Sequence, residues 1–358
     1  MDIKRVLFFL LFCLIYILPA YSLHRILLGY FNSYKISLFI MTISLLIFPL
    51  SNFLVRWRVN FLTSALSMLG GIILFVYTYL AIYLIIHMVI RFIPSIYVYK
   101  KVIFLSYLGI VFLLGIYAYV MAIKIRVTTY ELTSSKVGKD TKILMFSDIH
   151  LSPISNKNVL KNIGKIIDNK KPDMILIAGD IIDTDAKVIR HDYSSDFSKI
   201  KAPLGVYASI GNHEYYGDLK RNLDYIKKMG VKLLVEEGVE VGDFFIIGRD
   251  YVSNDRKTMD DFKVENKNGK EIISMDHSPK DADNFIKSGE FLQVSGHTHH
   301  GQIFPFNFIT KKMYNPSWGI RQEGKSTVIT TCGVGYWGIP MRLPSQAEVV
   351  EIIIKKGE

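Results

Sequence analysis

Apolar residues follow two regimes along the 358-residue chain. In the first third they form long unbroken runs near residues 6–22, 36–55, 62–90 and 102–123, with no acid, lysine or arginine between the ends of any run. About 20 apolar residues of helix cross the hydrocarbon core of a bilayer. Four membrane helices are therefore predicted, the first at the short limit and the third long enough to tilt. Trp57, Tyr97, Tyr99, Tyr117 and Tyr119 lie at or near the run ends, where aromatic belts form. Lys4 and Arg5 before an apolar run also fit a signal peptide, but Ala20-Tyr21-Ser22 is a poor cleavage site.

After Ile125 the apolar runs shorten to strand length and alternate with polar, helix-like segments. TKILMF (141–146), DMILIA (173–178) and LGVYASI (204–210) read as buried strands. Segments 156–169 and 218–229 carry helical spacing, and Gly230 ends the second. Shorter strands are expected at 232–235, 244–247, 271–274, 291–294, 327–331 and 347–354. Strands that alternate with helices early and cluster late predict a layered α/β domain with a mixed sheet or two packed sheets. The expected organisation is a transmembrane region over 1–123, a linker over 124–140 and an α/β domain over 141–358. Residues 253–270 read as an exposed connection or hairpin.

Charge changes the picture in one respect. The net charge is +11, yet residues 1–123 hold nine bases and a single acid, Asp2, so most of the excess lies in the apolar third. These bases flank hydrophobic runs and form no patch on a polar face, so no nucleic-acid partner is indicated. With four spans, six bases would share a side with the C-terminal domain against five opposite, a slight lean toward a cytoplasmic domain. The two cysteines, Cys13 and Cys332, exclude a disulfide scaffold and a thiolate zinc cluster.

The chemistry sits immediately after the buried strands. Five strands end in Ser147-Asp148-Ile149-His150, Gly179-Asp180, Gly211-Asn212-His213-Glu214, Asp276-His277 and Gly296-His297-Thr298-His299. Ligands borne on the ends of strands in an α/β sheet converge on one crevice. Imidazole, carboxylate and amide oxygen without thiolate suit Mn, Fe, Zn or Ni. Each pair alone is commonplace; five at successive strand ends specify a metal site.

The motifs SDIH (147–150), GD (179–180), GNHE (211–214), His277 and GHTH (296–299) resemble those of the calcineurin-like metallophosphoesterases. The likeness runs over about 141–354 and is similar to a membrane-attached bacterial branch that includes phosphodiesterases related to UDP-2,3-diacylglucosamine hydrolase. It implies a four-layer αββα sandwich behind the four-helix transmembrane region. It implies two divalent metal ions per chain: one held by Asp148, His150, Asp180 and His299, the other by Asp180, Asn212, His277 and His297. His213 would be catalytic, protonating the leaving oxygen or stabilising charge on phosphorus. Glu214 would orient His213. Asp183 and Asp276 would support the ligands, and Arg342 would contact phosphate. His300 stands where this branch has glycine and would narrow the cleft or add a phosphate contact. The function so implied is a membrane-anchored phosphoesterase. Its partners would be the lipid bilayer and a phosphodiester, pyrophosphate or phosphomonoester, lipid-linked or of the cell envelope, attacked by a metal-bridging hydroxide. The competing reading is a non-catalytic metal-binding scaffold or membrane sensor on the same fold.

Overall fold

The computed structural model describes residues 16–31, 33–155, 158–251 and 256–358. The chain divides into two compact units, the first ending at Tyr117 and the second spanning Ala118–Glu358.

Among the described residues of the first unit and its continuation, three helices are long and apolar enough to cross a membrane: Tyr34–Val55, Phe61–Ile90 and Lys100–Ile123. The expected run 6–22 falls largely outside the described residues, and the helix Leu18–Phe31 at its end has 14 residues. At 1.5 Å per residue that helix reaches only about 21 Å, short of a hydrocarbon core, so a fourth span is not observed among the described residues. Inside this unit Phe61–Ile90 carries the interior. Its Tyr77 hydroxyl meets Ser44 Oγ, and the Tyr16 hydroxyl donates to the Leu45 carbonyl at 2.8 Å. Hydroxyls that find partners on neighbouring helices avoid the cost of an unpaired polar group in lipid. A Cβ at Gly70 would lie 2.9 Å from the Phe48 Cα, so a glycine lets the two backbones close.

The second unit is built on two six-stranded sheets. The first runs β1 (Arg126–Ser134), β12 (Glu348–Lys356), β2 (Thr141–Phe146), β3 (Met174–Ala178), β4 (Val206–Ser209) and β5 (Lys232–Leu233) in spatial order. The second runs β10 (Gly319–Glu323), β11 (Ser326–Thr330), β9 (Leu292–Ser295), β8 (Glu271–Met275), β7 (Phe244–Gly248) and β6 (Glu237–Val241). β2 to β5 are mutually parallel, as are β7, β8, β9 and β11, while β12, β6 and β10 run antiparallel to the neighbours β2, β7 and β11. Successive strand residues point to opposite faces. In β2, Ile143 and Met145 enter a core shared with Phe244, Ile246, Ile273 and Val294 of the second sheet. Leu144 and Phe146 instead pack on the outer side against helices Val159–Lys170 and Leu219–Lys228. Burial on both faces explains why these strands read as unbroken apolar runs. Helices Met259–Glu265 and Ala282–Ser288 cover the outer face of the second sheet. The result is the expected four-layer αββα sandwich.

Two stretches depart from expectation. Residues 124–140 are not a plain linker, because Arg126–Ser134 pairs in parallel with β12 along its whole length. Its mostly intermediate and exposed positions, with only Leu132 and Ser134 buried, are those of an edge strand and carry no apolar run. Within 253–270, helix Met259–Glu265 forms behind a capping box of Thr258 and Asp261.

Candidate metal centre

The five chemical segments meet at the ends of β2, β3, β4, β8 and β9. Three groups of donors, Asp148/His150/His299, His150/Asp180/His213 and Asp180/His277/His297, each lie within 4.8 Å. His213, expected to act on the leaving group, thus also stands among the donors.

Backbone conformation aims these side chains. Asp148 (φ 54°), His150 (49°), Asp180 (52°), His297 (68°) and His299 (46°) all occupy the left-handed region. For residues with a Cβ this costs on the order of 1–3 kcal/mol each and persists where the surroundings over-determine it. Glycine fits where chains crowd. A Cβ at Gly211 would collide with the Asp180 carboxylate, and one at Gly296 with Ser147 and Asp148.

Hydrogen bonds set the ring tautomers. His277 Nδ1 donates to the Ala178 carbonyl at 2.7 Å, so the neutral ring presents a bare Nε2, 3.0 Å from Asp180 Oδ2. His150 Nδ1 donates to Asp183 Oδ1 at 3.1 Å, leaving its Nε2 3.7 Å from Asp148 and 3.8 Å from Asp180. The Asn212 amide nitrogen donates to the Tyr216 hydroxyl at 2.9 Å, and its buried Oδ1 has no hydrogen-bond partner among the described residues. Lone pairs that face one another in a buried site require a cation, a proton or water between them. The donor set therefore fits divalent cations.

The electrostatics agree. Burial would raise the Asp180 carboxyl, but the charges of His277, His150 and His213 outweigh it and hold it at about 2. Burial opposes a charge on His277, yet Asp180 and Asp148 raise it to about 9. His150 likewise rises against burial to about 10 through Asp148, Asp183 and Asp180. His297 falls to about 4, through burial and then the charge of His277. Carboxylates and imidazoles of this kind are the groups that exchange protons for metal.

Four supporting residues do not sit where the sequence reading put them. Glu214 does not reach His213; fully buried, it accepts the backbone N–H groups of Asp180 (3.1 Å), Ile182 (3.0 Å) and Gly211 (2.7 Å). It therefore ties the GD turn to the GNHE turn. Arg342 faces no solvent (0 % exposed) and cannot contact a phosphate there; it donates to the Gly335 carbonyl, Ser345 Oγ (3.2 Å) and His299 Nδ1 (3.0 Å). His300 is buried with its ring 5.2 Å from that of Trp318, so it neither lines the cleft nor offers a phosphate contact. Asp276 pairs with Arg256 rather than with a neighbouring histidine. Asp183 lies beside the centre, its Oδ1 3.1 Å from His150 Nδ1 and 3.3 Å from His213 Nδ1. Sequence reasoning passed over Ser147, whose hydroxyl bonds Asp148 Oδ2, and Tyr216, which turns the Asn212 amide. Both lie within or beside the motifs, the one signal that could have found them.

A sandwich with histidines, aspartates and an asparagine gathered at five strand ends has the architecture of a metal-dependent hydrolase. The family model described as calcineurin-like phosphoesterase matches residues 141–301. An uncharacterised metallophosphoesterase of Aquifex aeolicus is 32% identical over 244 residues, spanning 64% of this chain and 92% of that protein. The chain belongs to the calcineurin-like metallophosphoesterase family, whose members are metal-dependent phosphoric ester hydrolases. A Campylobacter jejuni metallophosphoesterase is 33% identical over 236 residues, covering 64% of this chain and 63% of that one. A Danio rerio transmembrane protein with metallophosphoesterase domain is 28% identical over 254 residues, 66% of this chain and 57% of its own. The chain thus spans under two thirds of the length of these last two relatives.

Proposed function

We propose that this chain is a membrane-anchored, divalent-metal-dependent phosphoesterase. The observation that carries the reading is the set of bare acceptors, His277 Nε2 against Asp180 and the orphaned Asn212 Oδ1, gathered at five strand ends. Asp148, His150, Asp180 and His299 would hold one cation. Asp180, Asn212, His277 and His297 would hold a second. When bound, such cations supply Lewis-acid polarisation of phosphate oxygens and an activated water. The chain's own residues do the rest. Asp183 fixes the His150 ring, and the Asp183 carbonyl fixes His213 through its Nδ1 at 2.5 Å. That bond turns His213 Nε2 toward the centre, 4.0 Å from Asp180 Oδ2, where it can pass a proton to the leaving oxygen.

A lipid-linked or envelope phosphoester suits an anchored enzyme. Support comes from the turn after GHTHH, where Phe304, Phe308, Ile309 and Met313 are 37 to 63 % exposed beside Lys311 and Lys312. An apolar face with flanking lysines is the composition of an interfacial helix. The base distribution leans toward a cytoplasmic catalytic unit.

The test uses the purified full chain, stripped of metal and assayed on bis-p-nitrophenyl phosphate and p-nitrophenyl phosphate with Mn, Fe, Zn or Ni. Metal-dependent turnover, lost in Asp180→Ala and His213→Ala, is the expected result. Failure to bind metal under any condition would overturn the reading in favour of a scaffold. Binding without turnover would move the search to lipid-linked esters.

A further inference from the structure

A second polar site lies on the opposite side of the second sheet from the shared core. Strand alternation sends Ile273, Met275, Leu292 and Val294 inward. The outward row across four strands reads Ile247, Ser274, Gln293 and Val328, register partners in sequence. Its two ends join separate apolar clusters, one with Phe262 and one with Phe285. Its middle is polar and buried: Ser274 is 1 % and Gln293 2 % exposed. The outer face of the first sheet, by contrast, packs as one continuous apolar cluster. A helix layer laid on a sheet normally fills this space with apolar side chains. Here a cavity of about 530 Å³ opens instead.

Arg249 and Arg256 both line that cavity. Arg249 is only 8 % exposed, and its Nη1 is buried with no hydrogen-bond partner among the described residues. Arg256 Nε makes no hydrogen bond among the described residues, with the Glu236 carboxylate 3.8 Å away. Arg256 is otherwise held by Asp276 and by Asp281 at 3.2 Å. Arg249 has Glu236 at 3.5 Å and lies over the Phe262 ring, 5.3 Å from its centroid; the same carboxylate oxygen lies 3.8 Å from Arg256 and accepts the Asp250 N–H. A structural arginine looks different: Arg342 donates to Gly335, Ser345 and His299. The lining also includes Lys257, Lys263 and Lys287 with Asp260, Asp276 and Asp281, and Lys257 and Lys263 pair further with Glu265 (2.6 Å) and Glu290 (3.4 Å). A buried guanidinium with a free donor and a like-charged neighbour is matched by an oxyanion, which accepts in the bidentate geometry arginine offers.

We propose that this cavity is a second, non-catalytic ligand site for a phosphorylated small molecule. Its phosphate would be bound at Arg249 and Arg256 and its body would lie along Met259 and Phe285. The volume falls within the range of small-molecule pockets and exceeds what a lone phosphate fills. Asp276, which borders the cavity, directly precedes His277 in the chain.

The test titrates inorganic phosphate and glycerol phosphate onto the metal-free full chain by calorimetry, so that the metal centre offers no cation for them. One molecule per chain is expected for each, with the ester tighter and unaffected by Asp180→Ala. Arg249→Met should weaken both at least tenfold. Should that variant fail to fold, Lys287→Glu, at the exposed rim, should weaken both several-fold with an unchanged Tm. No binding to the metal-free wild type, loss on Asp180→Ala alone, or unchanged affinity in the cavity variants would overturn the proposal. Phosphate binding without the ester would overturn the ligand class.

Discussion

Gly296→Ala places one methyl group at the most crowded point of the metal centre. The added Cβ would overlap Ser147 Oγ and Asp148 Oδ2 and lie 2.6 Å from Ser147 Cβ. An ordinary contact needs about 3.4 Å or more, so something must move by close to 1 Å. The Gly296 backbone cannot yield cheaply, since its N–H donates to the His277 carbonyl at 2.9 Å. Asp148 is pinned as well: both its oxygens lie 3.1 Å from the His297 N–H, and Ser147 Oγ bonds Oδ2. Overpacking of this kind costs about 1–3 kcal/mol. For a unit of this size each kcal/mol lowers Tm by roughly 2–4 °C, so a fall of about 4–8 °C is expected at the middle of that range. The larger effect is on metal and turnover, because a displacement near 1 Å in a reacting centre costs on the order of 100-fold. Thermal unfolding, metal stoichiometry and bis-p-nitrophenyl phosphate turnover would be measured on the same full-length preparation. Wild-type Tm together with turnover within twofold of wild type would refute the packing argument.

Asp183→Ala removes the anchor of His150 Nδ1; metal affinity should fall about 10–100-fold, and an unchanged metal titration would count against it. Glu351 accepts from Lys170 Nζ at 2.6 Å and Thr129 Oγ1 at 2.8 Å, and these bonds, against burial, hold its carboxyl below the ordinary 4.5. A depressed carboxyl adds stability above the unfolded value and loses it as pH falls through the folded one. Glu351→Gln should therefore cost about 1–2 kcal/mol at pH 7, with the gap closing in unfolding curves below pH of about 4; a pH-independent gap would contradict this. Phe308→Asp with Ile309→Asp should reduce turnover of a vesicle-embedded phosphoester while sparing bis-p-nitrophenyl phosphate, and equal losses on both would argue against an interfacial face.

Much of this architecture is legible in the chain because its signals are local. A parallel strand buried on both faces must be apolar at successive positions, so TKILMF and DMILIA announce themselves, and the residue that ends such a strand sits at the sheet edge by construction. The same locality made Asp148, His150, Asp180, Asn212, His277, His297 and His299 stand out together. Spans Phe61–Ile90 and Lys100–Ile123 follow from length and apolarity alone. Edge strands carry no such mark: β1 mixes exposed, half-buried and buried positions, and only its pairing with Glu348–Lys356, more than two hundred residues on, makes it a strand.

The destinations of single polar side chains were decided by tertiary structure. Arg342 and His299 stand 43 residues apart, Glu214 and Ile182 32 apart, and no local spacing joins them. A buried arginine and an exposed one are the same letter in sequence; packing decides whether the guanidinium meets water, the Gly335 carbonyl or, as at Arg249, the Phe262 ring. The sequence determined which donor groups the chain carries and which runs are long and apolar enough to cross a membrane, because residue types and run lengths are intrinsic to it. Which donors face one another, and which charges remain without partners, came only from the close packing of two sheets.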